Sequence, residues 1–274
     1  MFQGRTPAGM RHHIDSAMGN QKTALVLSAG GMFGAYQAGA FRIISEYNPP
    51  DIVVGASVGA LNGWAIAGGC SPEALVRLWL DPQTGAALRL FPNAGWRNGW
   101  FDPAALRSQA QSLYLQFRPT LPFGLVLIEL PWLRTRLVHG PDVRTEHLQA
   151  TCSVPLFLPA VEINGRRFLD GGLLDKLPIW AALEMGATEI IAIDSLPAMG
   201  EWWLRTGTNF MRLFRPARRC PPDIRITLLS PSEPLGDAKD AVFWKGENVE
   251  RWVALGERDA ARVLGVEAPA RLAG

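Results

Sequence analysis

Along the chain, short apolar runs of strand length alternate with small-residue or amphipathic stretches of helical period. Residues 23–28, TALVLS, are apolar, and AYQAGAFRIISEY at 35–47 follows with helical spacing. Residues 51–55, DIVVG, repeat the sequence of events, with 60–68 as their helix. Ser71 before Pro72 starts a helix over 72–80, and Asp102 before Pro103 starts another over 103–115. Between them, 81–101 is dense in Gly, Pro, Asn and aromatic residues and reads as a long shaped loop. Further on, 144–150 predicts helix, and 161–169 predicts a hairpin turning on Asn164-Gly165. A helix over 178–185 stops near Gly186, and strands follow at 189–193 and 223–229. The closing stretch, 241–264, reads as a helix interrupted at Gly246 and Gly256.

At 274 residues and 48% hydrophobic content the chain can bury one sizeable core. The expected organisation is one domain over 23–267, with variable segments at 81–133 and 199–221, a flexible lead at 1–22 and a flexible tail at 268–274. A formal charge of +2 gives no reason to expect a nucleic-acid partner. Cys70, Cys152 and Cys220 have neither metal-site spacing nor a disulfide framework, which fits a cytoplasmic, reducing location. The polar lead, with Arg5, Arg11, His12, His13 and Asp15, lacks the apolar core of a secretory signal. No stretch reaches the roughly 18 consecutive apolar residues expected of a membrane span. Residues 199–219 mix Trp202, Trp203, Phe210 and Phe214 with Arg205, Arg212, Arg215, Arg218 and Arg219. Such a segment suits peripheral contact with a lipid surface, or packing on this chain or a second subunit. The oligomeric state is not fixed by any pattern.

Candidate chemistry concentrates at three places. GASVG at 55–59 has the G-x-S-x-G spacing of a serine held on a sharp strand-to-helix turn, with Gly55 and Gly59 keeping side chains away from the fold-back. Ser57 is then a candidate nucleophile at the positive end of a helix. Upstream, Ala29-Gly30-Gly31-Met32-Phe33-Gly34 follows a strand and opens a helix, so its backbone amides can cradle an anion. A dinucleotide site fits poorly, since Ala29 stands at the first glycine position and Asp51 precedes the second strand instead of closing it. An oxyanion site suits the loop better, with the amides of Gly30 and Gly31 as donors and that of Val58 as a partner from the turn. The third place is Asp170-Gly171-Gly172, directly after the hairpin. Asp170 is either a general base for Ser57 or a cap on its own turn. No histidine follows Asp170, and Asp142 with His147 is the alternative triad, although neither sits at a strand-end loop. The stronger choice is a Ser57 and Asp170 dyad, which calls for neither metal nor organic cofactor.

With AGGMFG at 29–34, GASVG at 55–59 and DGG at 170–172 in that order, the chain resembles the patatin-like phospholipase family. The flanks ATCSVPLFLPAVEINGRRFLDGG and LLDKLPIWAALEMGATEIIAIDS extend the likeness over about 23–195. The resemblance implies a three-layer α/β/α fold with a central, mainly parallel sheet, and a Ser/Asp acyl hydrolase. Carried onto this chain, it makes Ser57 the nucleophile, Asp170 the base and the Gly30–Gly31 region the oxyanion site, with Gly34, Gly55, Gly59, Gly171 and Gly172 supporting the motifs. The implied substrates are lipids, lysophospholipids or smaller carboxylic esters. Phe33 replaces the family's usual Arg or Lys, which weakens the case for a phosphate contact there, and Lys176 replaces a usual Asn. A non-catalytic lipid-binding protein on the same shell is the competing reading. The apolar residues of 113–133 and 199–214 are the expected lining of an acyl cleft.

Overall fold

The computed structural model describes residues 21–84, 90–95, 99–196 and 221–267. The aromatic and basic segment at 199–219, most of the lead and the tail lie outside these residues. In chain order the strands are β1 (Thr23–Leu27), β2 (Ile52–Gly55), β3 (Leu90–Gly95), β4 (Gly99–Phe101), β5 (Phe123–Leu130), β6 (Arg134–His139), β7 (Val161–Ile163), β8 (Arg166–Asp170), β9 (Glu189–Ile193) and β10 (Arg225–Leu229). The α-helices are α1 (Gly34–Tyr47), α2 (Val58–Ala67), α3 (Pro72–Leu80), α4 (Pro103–Gln116), α5 (Thr145–Ala150), α6 (Ile179–Glu184) and α7 (Gly246–Leu264).

Eight strands form one sheet with the path β10-β9-β1-β2-β5-β8-β7, and β6 also pairs with β5. From β10 to β5 every pairing is parallel, as strand–helix–strand crossovers require. The pairings of β5 with β6, β5 with β8 and β7 with β8 are antiparallel. Strand alternation sorts the core onto two faces. Leu25, Leu27 and Val53 pack with apolar residues of α1, α2, α3 and α7, while Ala24, Val26, Ile52, Val54 and Ala192 pack with Ala181 and Ala182 of α6. Helices therefore cover both faces, and the architecture is the three-layer α/β/α fold.

Two expectations change. Residues 81–101, expected as a long shaped loop, carry the small antiparallel pair β3 and β4. Gly256 lies within continuous α7 and does not interrupt it. A Cβ there would stand 2.1 Å from the carbonyl oxygen of Tyr36, and one on Gly39 would stand 2.0 Å from that of Val253. The two glycines let the backbones of α1 and α7 touch, which no side chain at either position would permit.

Candidate functional site

The sheet register explains how residues far apart in sequence come together. On β5, β6 spans Gly124–Glu129, whereas β2 reaches only Leu125 and β8 begins its pairing at Leu127. Both β2 and β8 overlap β6 along β5, so they must share the edge of β5 that β6 leaves open. On that edge, β2 runs toward the site and ends at Gly55, while β8 comes the opposite way and ends at Asp170. The two strand ends meet across a gap of two residues of β5, roughly 7 Å.

Ser57 stands in that gap. The chain reverses from β2 into α2 through Ser57 itself, at φ 56° and ψ −132°, a conformation costly for a residue with a side chain. Two glycines make the reversal tight enough to close. A Cβ on Gly55 would lie 2.3 Å from the backbone of Gly59, and one on Gly59 would lie 2.5 Å from the carbonyl oxygens of Leu27 and Ser28. The Ser57 amide donates to Thr151 Oγ1 at 2.9 Å, which anchors the turn and removes that amide from any role at a ligand. Ser57 is the N-cap of α2, so the positive end of the helix faces the hydroxyl.

Asp170 is buried, and its Oδ1 accepts from the Gly172 amide at 2.7 Å. Burial pushes its carboxyl up to about 7, against the hydrogen bonds from the Ser57 hydroxyl and the Gly172 amide, which favour the charged form. Gly171 and Gly172 let this turn approach its neighbours. A Cβ on Gly171 would be 2.2 Å from the carbonyl oxygen of Val126. One on Gly172 would be 2.5 Å from Ala29 Cβ, 3.0 Å from Asp170 Oδ1 and 3.7 Å from Ser57 Cβ. Ser57, Asp170, Gly172 and Ala29 thus meet at one point, and the bare Cα of Gly172 makes room for the alanine at the first position of the glycine-rich loop.

That loop is fixed on several sides. The Ala29 amide donates to Lys176 O at 2.8 Å, and the Met32 amide donates to Ala241 O at 2.8 Å. Gly31 has φ +54°, and a Cβ on it would strike Ala241 O. A Cβ on Gly34 would strike Val58 and Trp79, so the start of α1 lies against the start of α2. Among the described residues, the amides of Gly30, Gly31 and Val58 have no hydrogen-bond acceptor. Behind the loop runs a buried polar network. Gln37 Nε2 donates to Ser28 O at 2.7 Å and to Ser195 Oγ at 3.1 Å, and Gln37 Oε1 accepts from Asn62 Nδ2 at 3.0 Å. Asn62 Nδ2 also donates to Gly34 O at 3.0 Å, while its Oδ1 accepts from Trp79 Nε1 at 2.9 Å.

The departures from the family pattern take on a physical meaning here. Phe33 is buried and meets the Trp252 ring edge-on at a centroid distance of 5.1 Å, so the position of the missing basic residue belongs to the core. Lys176 Nζ donates to Asp194 Oδ2 at 2.7 Å and to Leu196 O, joining the loop after Asp170 to the end of β9. Asp194 is thereby a satisfied strand-end carboxylate. His147 uses Nδ1 to accept the Arg144 amide at 3.0 Å, capping its own helix, and burial lowers its basicity. Among the described residues, no hydrogen bond joins it to Asp142 or to Ser57.

Within the expected acyl lining, Phe123–Glu129 are corrected, being buried as the central strand, and 199–214 lies outside the described residues. A separate small apolar cluster, Phe101, Leu106 and Leu158, has Cys152 and Val242 packed against it. The Cys152 thiol touches the Ser57 hydroxyl, and burial raises it far above its ordinary range. Sequence reasoning missed Thr151, Cys152 and Ala241, which no local pattern distinguishes. Gln37 and Asn62 did carry a signal, being amides on helices otherwise composed of small and apolar residues.

Comparison with known proteins gives a consistent picture. The family model Patatin-like phospholipase matches residues 25–124 and 144–183, just over half of the chain. Patatin-like phospholipase domain-containing protein 7 of Rattus norvegicus is 26% identical over 66% of this chain and 15% of its own length. Lysophospholipase NTE1 of Mycosarcoma maydis is 25% identical over 90% of this chain and 14% of its own. The chain therefore spans about one seventh of the curated relatives it matches. Among solved structures, VipD from Legionella pneumophila superposes with a TM-score of 0.54 at 13% identity, covering 89% of this chain and 67% of that one. This chain belongs to the patatin-like phospholipase family.

Proposed function

We propose that this domain is a serine acyl hydrolase that cleaves carboxylic ester bonds of lipids, with Ser57 as nucleophile and Asp170 as its general base. The observation that carries the reading is the end-on meeting of β2 and β8, which sets a buried carboxylate poised near neutrality against a serine on a strained turn. A base with a pKa near the working pH accepts and returns a proton most effectively. As Ser57 Oγ bonds to the ester carbonyl carbon, its proton passes to Asp170, and the carbonyl oxygen gains negative charge facing the amides of Gly30, Gly31 and Val58. Collapse of this adduct breaks the ester bond, and the departing alkoxide takes the proton from Asp170. Water then gives a proton to Asp170 and attacks the acyl-enzyme. The second adduct expels Ser57 Oγ, which recovers that proton, and the fatty acid leaves.

Lysophospholipids are a fitting substrate class, given that curated relatives carry the name lysophospholipase. Phe33 faces Trp252 in the core, which removes one of the two motives for the non-catalytic alternative, the other being the aromatic and basic segment at 199–219, outside the described residues. A fluorophosphonate probe with peptide mapping tests the reading directly, alongside turnover of p-nitrophenyl esters and lysophosphatidylcholine. Ser57 is the expected site of labelling, and Ser57→Ala is expected to abolish both labelling and turnover. Turnover that survives Ser57→Ala sinks the proposal.

A further inference from the structure

Beyond Asp170 the sheet continues. The β5–β6 and β7–β8 hairpins extend past the end of β2 on the side where Ser57 lies. Asp170 is level with Leu127, and Arg167 with Leu130, so the hairpin tips stand three residues, roughly 10 Å, above the carboxylate. One tip carries Trp132, which is 72% exposed, and Leu133, which is half-exposed. Around them stand Arg134 and Arg136 on β6 and Arg166 and Arg167 on β8, all exposed. Trp132 and the four arginines line an open recess of about 510 Å³, and Glu129 lines it too. Glu129 is buried and accepts from Arg136 at 2.5 Å and from Arg166 at 2.9 Å, and Glu162 lies opposite Arg167 on β7. Four arginines against two carboxylates leave the platform cationic.

A largely exposed indole beside several arginines is a poor match for water and a good match for a lipid headgroup layer, where the ring enters the interface and the guanidinium groups meet phosphates. We propose that the two hairpin tips form a docking platform for an anionic lipid surface, holding the mouth of the Ser57 and Asp170 site against the layer that contains its substrate. The inference extends the lipid-hydrolase reading to how the site reaches its substrate, and its test keeps the two separate. The platform is built from residues other than 199–219.

The test is flotation of the full chain with phosphatidylcholine vesicles and with the same vesicles enriched in phosphatidylglycerol. Preference for the anionic vesicles is expected, falling as salt is raised. Arg134→Gln with Arg167→Gln should lower that binding about 25-fold, at about 5-fold for each arginine near a charged surface. Trp132→Ala should weaken binding further, and the double Lys variant of the same arginines should retain most of it. Thermal melts identify any variant that fails to fold. Turnover of a monomeric soluble ester should be unchanged in all of them, while Ser57→Ala should bind vesicles as the unaltered protein does. Equal binding to neutral and anionic vesicles, or binding undiminished in the Trp132 and arginine variants, overturns the platform. Vesicle binding without ester turnover in the unaltered protein overturns the hydrolase reading and leaves the platform standing.

Discussion

Asp170 shows how burial at one residue ties chemistry to stability. In the folded protein its carboxyl holds a proton up to about pH 7, whereas an exposed aspartate releases it near 4. On the proposed mechanism, kcat/KM should rise tenfold per pH unit below that value and level off above it, and Asp170→Asn should remove the activity at every pH. Folding has the opposite dependence. The folded state binds this proton more tightly than the unfolded one, so the group's favourable contribution is complete below about pH 4 and is lost as pH rises through about 7. Asp170→Asn should accordingly raise Tm at pH 8, by an amount on the order of a few kcal/mol of stability, and change it little at pH 4. A variant less stable than the parent at pH 8 contradicts this account. Ser57 and Asp170 were legible in the sequence because the glycines beside them declare where backbone must approach backbone. Thr151 was not, since its contact with the Ser57 amide depends on where the end of α5 lies in the fold.

Among the elements, α1 and α7 show what a residue pattern conceals. Gly256 reads as a helix breaker when only local propensity is considered, yet its lack of a side chain is what brings α7 onto α1, with Gly39 in the matching position. Gly39→Ala and Gly256→Ala should each cost about 1–3 kcal/mol in chemical denaturation, by forcing the helices apart. The double variant should cost less than the sum of the two, because the first Cβ already opens the crossing that the second would obstruct. Strict additivity would mean that the two glycines serve separate contacts. Strand and helix positions were legible for the same elements because apolar period and caps are local: Ser71 accepts from the Ala74 amide at 3.2 Å, and Asp102 from the Ala104 amide at 2.8 Å, as their sequence positions predict. The role of 123–130 was not legible, because an unbroken apolar run reads equally as groove or central strand until its neighbours are known.

For the whole molecule, the meeting of β2 and β8 sets a rule of timing. The turn bearing Ser57 is built from β1, β2 and α2, all within the first quarter of the chain, but Thr151, which anchors it, and Asp170 come far later, Asp170 through a long-range antiparallel pairing. Such pairings form late, since a long loop must close before they gain any contacts. On the proposed mechanism, a partly synthesised chain therefore presents the serine without its base, and the site is unarmed until the sheet is finished. In refolding, fluorophosphonate labelling of Ser57 should return with the slowest phase, behind the far-ultraviolet signal of the helices. Labelling that returns with the first phase would show that the serine is armed before β8 arrives.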